Sequence, residues 1–506
     1  MGFSKIHSAQ VTLLKANIID IEIDITNGLH SFTIVGLPDK AVEESRDRVS
    51  AAIKNSGFKS PKQKNQKVTI SLAPADLKKE GPVFDLPIAL AYLLSSKEIN
   101  FDPSKKIFIG ELSLDGELRP VSGILPLAKE AKKKGFEDFF VPYENREEAA
   151  LISGINIFGA KKLSDVINHL SGKKITPTPP TKINFYEQTN DYSFEDIRGQ
   201  EIAKRGLEIA AAGGHSIAMS GPPGTGKTML AKSFTEILPQ MSFEEILEVT
   251  SIHSIAGILQ NKIITKIPFR SPHHTASYSS LVGGGSTPKP GEATLAHRGV
   301  LFLDEFAEFD RRVIDSLRQP LEEKIITISR AKGTAHFPAD FILIAAMNPC
   351  PCGYHGVRGK DCICSPINLL RYRQKISGPI IDRIDLWINV EAIDHKNLSE
   401  KIVSESSKEI KKRVEVARKV QSERFKKFNL NIKTNAEMHG KKLIEITPLS
   451  KEVSDLLNIS AKKLDMSARA YHRVWRVART IADLDGAQEI QTKHMLEALQ
   501  YRPKKF

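Results

Sequence analysis

The sequence has few cysteines and no long apolar run. Its 506 residues contain four cysteines and two tryptophans. No apolar stretch approaches the roughly 20 residues that a transmembrane helix needs, and no signal peptide is recognisable. These features argue against a membrane protein and against a disulfide-stapled secreted domain. The sequence therefore predicts a cytoplasmic protein with no membrane partner.

Acidic residues are fewer than basic ones. Asp and Glu number 60 against 73 Lys and Arg, which gives a formal net charge of +13. A basic protein gains affinity for nucleic acid because each neutralised phosphate releases counterions. Solvated lysine faces are an equally common origin of such a charge. Composition alone leaves these two explanations open.

The pattern along the chain changes three times. Residues 1–170 begin with alternating strands such as Ile19–Ile25, whose acidic residues fall on one face. Residues 171–191 are polar and rich in proline, which is typical of a linker. Residues 192–393 carry strand and loop motifs, and residues 394–506 are helical and rich in Lys and Glu. The prediction is an α/β protein with two α/β domains and a C-terminal helical lid.

A glycine-rich octet lies between an apolar run and a helical segment. It fits the G-x-x-x-x-G-K-[ST] pattern, whose backbone amides cradle phosphates while the lysine reaches the β- and γ-phosphates. The alternative is an ordinary glycine-rich turn. The predicted ATP-binding residues are Gly221, Pro222, Pro223, Gly224, Thr225, Gly226, Lys227 and Thr228.

Two further apolar runs end in polar residues suited to ATP hydrolysis. Val300–Leu303 is followed by Asp304 and Glu305. Asp304 is predicted to bind Mg²⁺ together with Thr228, and Glu305 to orient the attacking water. Phe341–Met347 ends at Asn348, which is suited to the γ-phosphate side, although a turn residue would also fit there. Lys227, Asp304, Glu305 and Asn348 are thus the predicted catalytic set.

The cysteines form one cluster in the sequence. Cys350, Cys352, Cys362 and Cys364 give C-P-C-x9-C-x-C. Four thiolates suit tetrahedral Zn²⁺, so a structural zinc site is predicted. Free thiols, an iron–sulfur cluster, or a site in which His355 replaces one cysteine are the alternatives.

The order of these motifs resembles that of AAA+ ATPases, and the segment Phe269–Glu305, with its PHHT, GGG and PGE elements, resembles their magnesium-chelatase-like branch. The likeness extends over the whole chain to competence-associated DNA helicases of that branch. It implies ATP and Mg²⁺ as cofactors and a homohexameric ring that binds single-stranded, forked or branched DNA. It further implies branch migration during recombination of incoming DNA in natural transformation, with recombination proteins as partners.

The resemblance assigns roles to two arginines. Arg383 is similar to the arginine finger that a subunit presents to its neighbour's γ-phosphate, the alternative being an ion pair with Asp382 or Asp385. Arg469 resembles the lid arginine called sensor 2, which reports ATP binding to the lid. The arginines that follow it are expected to form a basic face of the same helix: Arg473, Arg476 and Arg479.

The resemblance also indicates DNA-contacting segments. Ile325–Phe337 looks like a presensor hairpin with Arg330 and Lys332 near its tip, where cations without acids can follow a phosphate backbone. The alternative is a solvated turn. Ser271–Gly291 resembles a helix-2 insert that projects into the pore, with Lys289 as a second DNA contact. Its His273 and His274 are interpreted as loop residues with backbone or partner contacts, rather than as metal ligands.

The N-terminal segment resembles the Lon protease-type domain, a ribosomal S5 domain 2-like α/β fold, through Gly110–Gly135. Proteolysis in that family needs a serine and a lysine in two short segments, which here read Glu80–Asp85 and Val121–Leu125. Hydrophobic residues occupy both catalytic places, and Ser122 and Lys129 have the wrong spacing. Without a nucleophile and base this domain is predicted to be non-catalytic, with a role in assembly or DNA contact.

Two other functions remain open. One is a chelatase-type AAA+ ATPase that remodels a protein partner without DNA. The other is a chaperone-like or regulatory module in which ATP switches assembly. The basic composition, the Lon-like domain and the cysteine cluster favour the DNA motor.

Overall fold

The computed structural model describes residues 2–183, 192–259, 263–285, 288–330, 333–357, 359–392 and 405–503. The chain divides into two compact units. The first comprises residues 1–185 and 243–265, and the second comprises residues 186–242 and 266–506. The predicted boundary at residue 393 lies outside the described residues. None of the helices described is long and apolar enough to cross a membrane.

The first unit is a mixed α/β structure. Its strands, numbered along the whole chain, are β1 (Gly2–Thr12), β2 (Lys15–Asn27), β3 (Ser31–Val35), β4 (Gln66–Ala73), β5 (Lys106–Phe108), β6 (Glu111–Leu112), β7 (Leu118–Arg119), β8 (Asp138–Pro142) and β9 (Asn156–Ala160). Its helices are α1 (Lys40–Asn55), α2 (Asp85–Ser95), α3 (Ile124–Lys133), α4 (Arg146–Ala149), α5 (Leu163–Leu170) and α8 (Phe243–Ile255).

A seven-stranded sheet in the order β3-β4-β2-β1-β5-β8-β9 organises this unit. β2 pairs antiparallel with β1 and β4, and the remaining neighbours are parallel. Ile19, Ile21 and Ile23 of β2 are fully buried, whereas the acidic residues between them face the other side. The alternation in the sequence is therefore that of a strand with one fully buried face.

Helix α8 belongs to this unit although its sequence follows the glycine-rich octet. Ser254 of α8 accepts a hydrogen bond from Gly123 N (2.8 Å) and donates one to Glu148 Oε1 (2.6 Å). Burial raises the pKa of Glu148, whose carboxylate also accepts from Leu125 N. The segment compared with the lysine-bearing part of Lon-type proteases is thus packed against α8. Ser122 and Lys129 beside it are exposed.

The second unit contains the predicted ATPase motifs. Its strands are β10 (Ile217–Ser220), β11 (Phe269–Arg270), β12 (Gly283–Gly284), β13 (Lys289–Pro290), β14 (Val300–Leu303), β15 (Ile325–Arg330), β16 (Gly333–Pro338), β17 (Ile342–Met347) and β18 (Leu386–Asn389). Its helices are α6 (Glu201–Gly213), α7 (Lys227–Ile237), α9 (Tyr278–Val282), α10 (Glu292–Leu295), α11 (Arg311–Ser316), α12 (Arg318–Glu323), α13 (Pro366–Gln374), α14 (Gly378–Ile381), α15 (Ser407–Lys427), α16 (Lys441–Ile446), α17 (Lys451–Leu464), α18 (Ala468–Leu484) and α19 (Thr492–Gln500).

A five-stranded parallel sheet in the order β11-β14-β17-β10-β18 forms the centre of this unit. The side chains of β14 are buried throughout, as expected of a parallel strand covered on both faces. The C-terminal helices share one core with the sheet, through residues such as Val414 of α15 and Ile481 of α18. The predicted fold class, α/β with a helical C-terminal part, is confirmed.

Candidate nucleotide site

Three predicted motifs meet at one edge of the parallel sheet. Ser220 at the end of β10 pairs with Met347 at the end of β17, and Leu303 at the end of β14 pairs with Ala345. In parallel α/β sheets, ligands bind outside the carboxyl ends of the strands. The strand pairing therefore brings the glycine-rich octet, Asp304 and Asn348 to the same place.

The octet forms a loop that leads into α7. Gly224 and Gly226 have φ angles of 78° and 84°, in the left-handed region that favours glycine. Lys227 Nζ donates to the carbonyls of Gly221 and Pro222, each at 2.8 Å, and reaches Asn348 Oδ1 at 3.4 Å. Burial lowers the pKa of Lys227. The ammonium is thus held within the loop, at the N-terminus of a helix that favours phosphate.

A hydroxyl and a carboxylate converge beside this loop. Thr228 Oγ1 donates to Asp304 Oδ2 at 2.9 Å. Oxygen donors of these two kinds are the ligands that Mg²⁺ accepts in phosphate-binding sites. The geometry fits the predicted magnesium site, with Thr228 and Asp304 as the residues that would hold the ion.

Glu305 has a partner that the sequence did not reveal. Its backbone is left-handed, with φ 53°, and its amide donates to Asp304 Oδ1 at 2.9 Å. His274 Nδ1 lies 2.8 Å from Glu305 Oε2. The PHHT sequence drew attention to His274, but nothing in its spacing indicated which carboxylate it contacts.

Asn348 connects the nucleotide loop to the cysteine segment. Its side chain faces Lys227, and its backbone carbonyl accepts from Tyr372 Oη at 3.1 Å. Burial raises the pKa of Tyr372, which keeps its hydroxyl a donor. A Cβ on Gly353 would stand 2.7 Å from Pro223 Cδ, so the cysteine segment packs closely on the octet. Glycine at residue 353 permits that approach.

The four cysteines come together in space. Cys350, Cys352 and Cys362 have sulfur–sulfur distances of 3.3, 3.7 and 3.6 Å. All four Sγ atoms, including that of Cys364, lie within 4.8 Å of one another. Tetrahedral Zn²⁺ with Zn–S bonds of about 2.3 Å requires sulfur atoms about 3.8 Å apart. The donor set and spacing fit a bound metal ion.

Arg383 and Arg469 meet at a different carboxylate. Arg383 Nη2 donates to Glu322 Oε2, and Arg469 Nη2 donates to Glu322 Oε1 at 3.4 Å. Arg383 Nη1 also donates to the carbonyl of Pro379. The sequence offered Asp382 or Asp385 as an ion-pair partner of Arg383. Its described ion-pair partner is Glu322. In the described part of the chain neither arginine contacts Lys227.

The expectation of a basic face on α18 was wrong. Arg473 and Arg479 are 2% and 3% exposed. Arg473 donates to backbone carbonyls, Arg479 pairs with Asp483, and Arg476 Nη2 donates to Asp385 Oδ1 at 3.2 Å. Residues 381–385 supply acceptors to Arg473 and Arg476, and the carbonyls of Ala487 and Gln488 after the helix accept from Arg479. Helical spacing does not reveal these partners.

The structure describes the backbone of most of the two segments predicted to contact DNA. β15 and β16 pair as an antiparallel hairpin, with Arg330 opposite Gly333, which confirms the predicted hairpin. Lys332 lies outside the described residues. Lys289 is exposed in the short β12–β13 ribbon of the insert.

The strand order, the phosphate loop and the acidic pair define a P-loop ATPase of the AAA+ class. Models described as magnesium chelatase subunit ChlI match residues 193–398 and 21–145, and one for its C-terminal part matches residues 404–502. The chain is 42% identical to Competence protein ComM of Haemophilus influenzae, over 99% of this chain and 98% of that protein.

It is also 42% identical to YifB of Escherichia coli, over 99% of this chain and 97% of that protein. The Magnesium-chelatase 67 kDa subunit of Chlorobaculum parvum is 26% identical over 31% of this chain and 23% of that protein. The chain belongs to the ComM/YifB family of magnesium-chelatase-like AAA+ ATPases. Membership implies ATP and Mg²⁺ as cofactors.

Proposed function

We propose that this protein is an ATP-driven DNA motor, a hexameric helicase that promotes branch migration when incoming DNA recombines in natural transformation. The observation that carries the proposal is a complete set of nucleotide-site residues in the same unit as the β15–β16 hairpin, whose sequence at the turn contains Arg330 and Lys332 and no acid. A relative with 42% identity over the full chain is named a competence protein.

Assembly into a ring is supported by the position of Arg383. Its described hydrogen-bond partners are Glu322 and Pro379, and Lys227 and Asp304 of its own chain are not among them. A guanidinium that stabilises the charge of a transferring phosphoryl group must reach that phosphate. Action on the ATP of a neighbouring subunit would satisfy this requirement. Arg469 donates to the same carboxylate, and we propose that it accompanies Arg383.

DNA as the partner is supported by charge. The chain carries a net charge of +13, and the hairpin tip and Lys289 would supply cations to a phosphate backbone. Recombination proteins are proposed as further partners, because branch migration is a step of recombination. Zn²⁺ is proposed as the ion held by Cys350, Cys352, Cys362 and Cys364, because four clustered thiolates fit its tetrahedral preference.

A second candidate is an ATPase that remodels a protein partner. It is favoured by the match of magnesium chelatase models to all three parts of the chain. The two candidates differ in their response to DNA. ATP hydrolysis by a DNA motor should rise strongly with single-stranded or forked DNA, whereas hydrolysis by a partner-remodelling ATPase should not.

The test is unwinding of a synthetic four-way junction by the purified full-length protein with ATP and Mg²⁺. We expect ATP-dependent separation of the junction arms, and none with Lys227→Ala, which removes the phosphate-binding ammonium. Junctions left intact by an actively hydrolysing parent protein, together with hydrolysis that ignores DNA, would favour the second candidate.

A further inference from the structure

Glu322 joins the two arginines that the family resemblance singles out. One carboxylate oxygen accepts from Arg383 and the other from Arg469. The Arg383 side chain is 15% exposed, while those of Glu322 and Arg469 are 47% and 58% exposed. Arg383 Nε is buried and has no hydrogen-bond partner within the described residues. The carboxylate of Glu322 and the Arg469 side chain are therefore open to solvent, whereas Arg383 is largely covered.

Helix α12, which carries Glu322, is fixed to the segment that leads to Arg383. Arg318 Nη2 donates to Ser377 Oγ at 3.1 Å and to Asp315 Oδ1 at 2.7 Å. Ser377 Oγ in turn donates to Asp315 Oδ1 at 2.7 Å, directly before α14. These bonds connect α12 to the start of α14, so the position of α12 relative to α14 sets the distance between Glu322 and Arg383.

Helix α12 is also bonded to the β15–β16 hairpin, which is predicted to contact DNA. Gln319 bonds Thr327 of β15 twice, accepting from its amide and donating to its hydroxyl, both at 3.1 Å. Directly after β16, Ala339 N donates to the carbonyl of Lys324, the residue that follows α12, at 2.8 Å. The base of the hairpin is thus joined by hydrogen bonds to the helix that carries Glu322.

The C-terminal helices are tied to the arginine segment from the other side. Arg473, one turn along α18 from Arg469, donates to the carbonyls of Ile381 at 2.8 Å and Ile384 at 2.6 Å. These carbonyls flank Arg383 in the chain. Arg383 and Arg469 are therefore carried by segments that are joined to each other.

We propose that Glu322 is a positioning residue whose carboxylate holds Arg383 and Arg469 in place of the phosphate of a neighbouring subunit's ATP. The two arginines leave it together when that phosphate is present. DNA on the β15–β16 hairpin favours their release by moving α12. This inference rests on the proposed function in two respects, the action of Arg383 on a neighbour's ATP and the binding of DNA to the hairpin.

The test compares Glu322→Gln with the parent in the full-length protein. The amide keeps the size of the side chain but not its charge, so it competes less well with phosphate for the arginines. Without the ion pair the arginines are freer to reach phosphate, so kcat/KM for ATP without DNA should rise. Because a partly exposed ion pair contributes little free energy, we expect a rise of about two- to fivefold. The further stimulation by DNA should shrink accordingly, and Glu322→Asp should restore the parent behaviour.

Glu323→Gln is the matched control, because it makes the same charge change on the same helix and Glu323 bonds Gln319 rather than an arginine. This control should leave kcat/KM for ATP without DNA unchanged. Combining Glu322→Gln with Arg383→Ala should abolish the gain. A kcat/KM in Glu322→Gln that equals the parent's, or that falls as it does in Arg383→Ala, would overturn the proposal.

The proposed DNA function and the role of Glu322 can fail separately. A parent protein that hydrolyses ATP without any response to DNA would contradict the DNA motor. A rise in DNA-free kcat/KM in Glu322→Gln, lost in the combination with Arg383→Ala, would still support the role of Glu322.

Discussion

His274 Nδ1 lies 2.8 Å from Glu305 Oε2, so a residue of the insert contacts the carboxylate predicted to orient water. The His274 ring lies tilted against the His273 ring at a centroid distance of 4.1 Å and meets Phe309 edge to face. These two rings hold the His274 imidazole in one orientation beside the Glu305 carboxylate. The insert and Glu305 are thus linked within one unit.

Glu305→Gln should leave ATP binding intact and lower kcat by about 10²-fold or more, since the amide cannot act as a base toward water. An ATP-bound oligomer should accumulate. Nucleotide binding and single-turnover hydrolysis measure the two effects separately. Normal turnover in this variant would assign the positioning of water to another residue.

His274→Ala should lower kcat less than Glu305→Gln does, by about tenfold, because a charge-assisted hydrogen bond that orients the carboxylate is lost. KM for ATP should stay the same, since the described contacts of His274 do not include the phosphate loop. Ser279→Ala is the control, because Ser279 is an exposed residue of the same insert whose described partner is Ser277. Equal kcat values for His274→Ala and Ser279→Ala would remove His274 from hydrolysis.

Arg383→Ala should reduce hydrolysis by about 10³-fold without preventing nucleotide binding. Mixing it with Lys227→Ala subunits should recover part of the activity, because some sites then combine an intact phosphate loop with an intact arginine from a neighbour. Steady-state hydrolysis across mixing ratios measures the recovery. Failure to recover despite demonstrated co-assembly would speak against action between subunits.

Cys352→Ser and Cys362→Ser should each release zinc and lower the unfolding temperature by several degrees, because a structural metal contributes folding free energy. Elemental analysis and thermal denaturation give the two readouts. Ile363→Ser is the matched control, since Ile363 lies between two of the cysteines and is 88% exposed. Purified parent protein that contains no zinc, or that contains iron, would contradict the assignment.

Arg330→Ala combined with Lys332→Ala should keep basal hydrolysis and weaken both DNA stimulation and strand displacement. The plot of log affinity for DNA against log salt should become less steep by about two, because fewer counterions are released. Lys289→Ala tests the insert in the same assays. Unwinding at the parent rate with the parent salt slope would shift the DNA contact from the hairpin toward Lys289.

Local pattern in the sequence was enough to predict the nucleotide site. A buried strand followed by GPPGTGKT, and a second strand followed by Asp304 and Glu305, are contiguous signals. Parallel pairing then brings the strand ends together without further information. Clustering of the cysteines likewise predicted one shared site, because short spacing keeps the four thiols near each other.

Only the tertiary structure decided which distant side chains meet. The contacts of His274 with Glu305 and of Glu322 with Arg383 depend on how the insert and α12 pack. Residues 243–265 joined the N-terminal unit because their apolar and polar groups find partners there, such as Glu148 for Ser254. Helical spacing predicted that Arg473 and Arg479 lie on one face of a helix. Whether that face meets water or another segment depends on long-range packing, which periodicity does not encode, and here both side chains are buried.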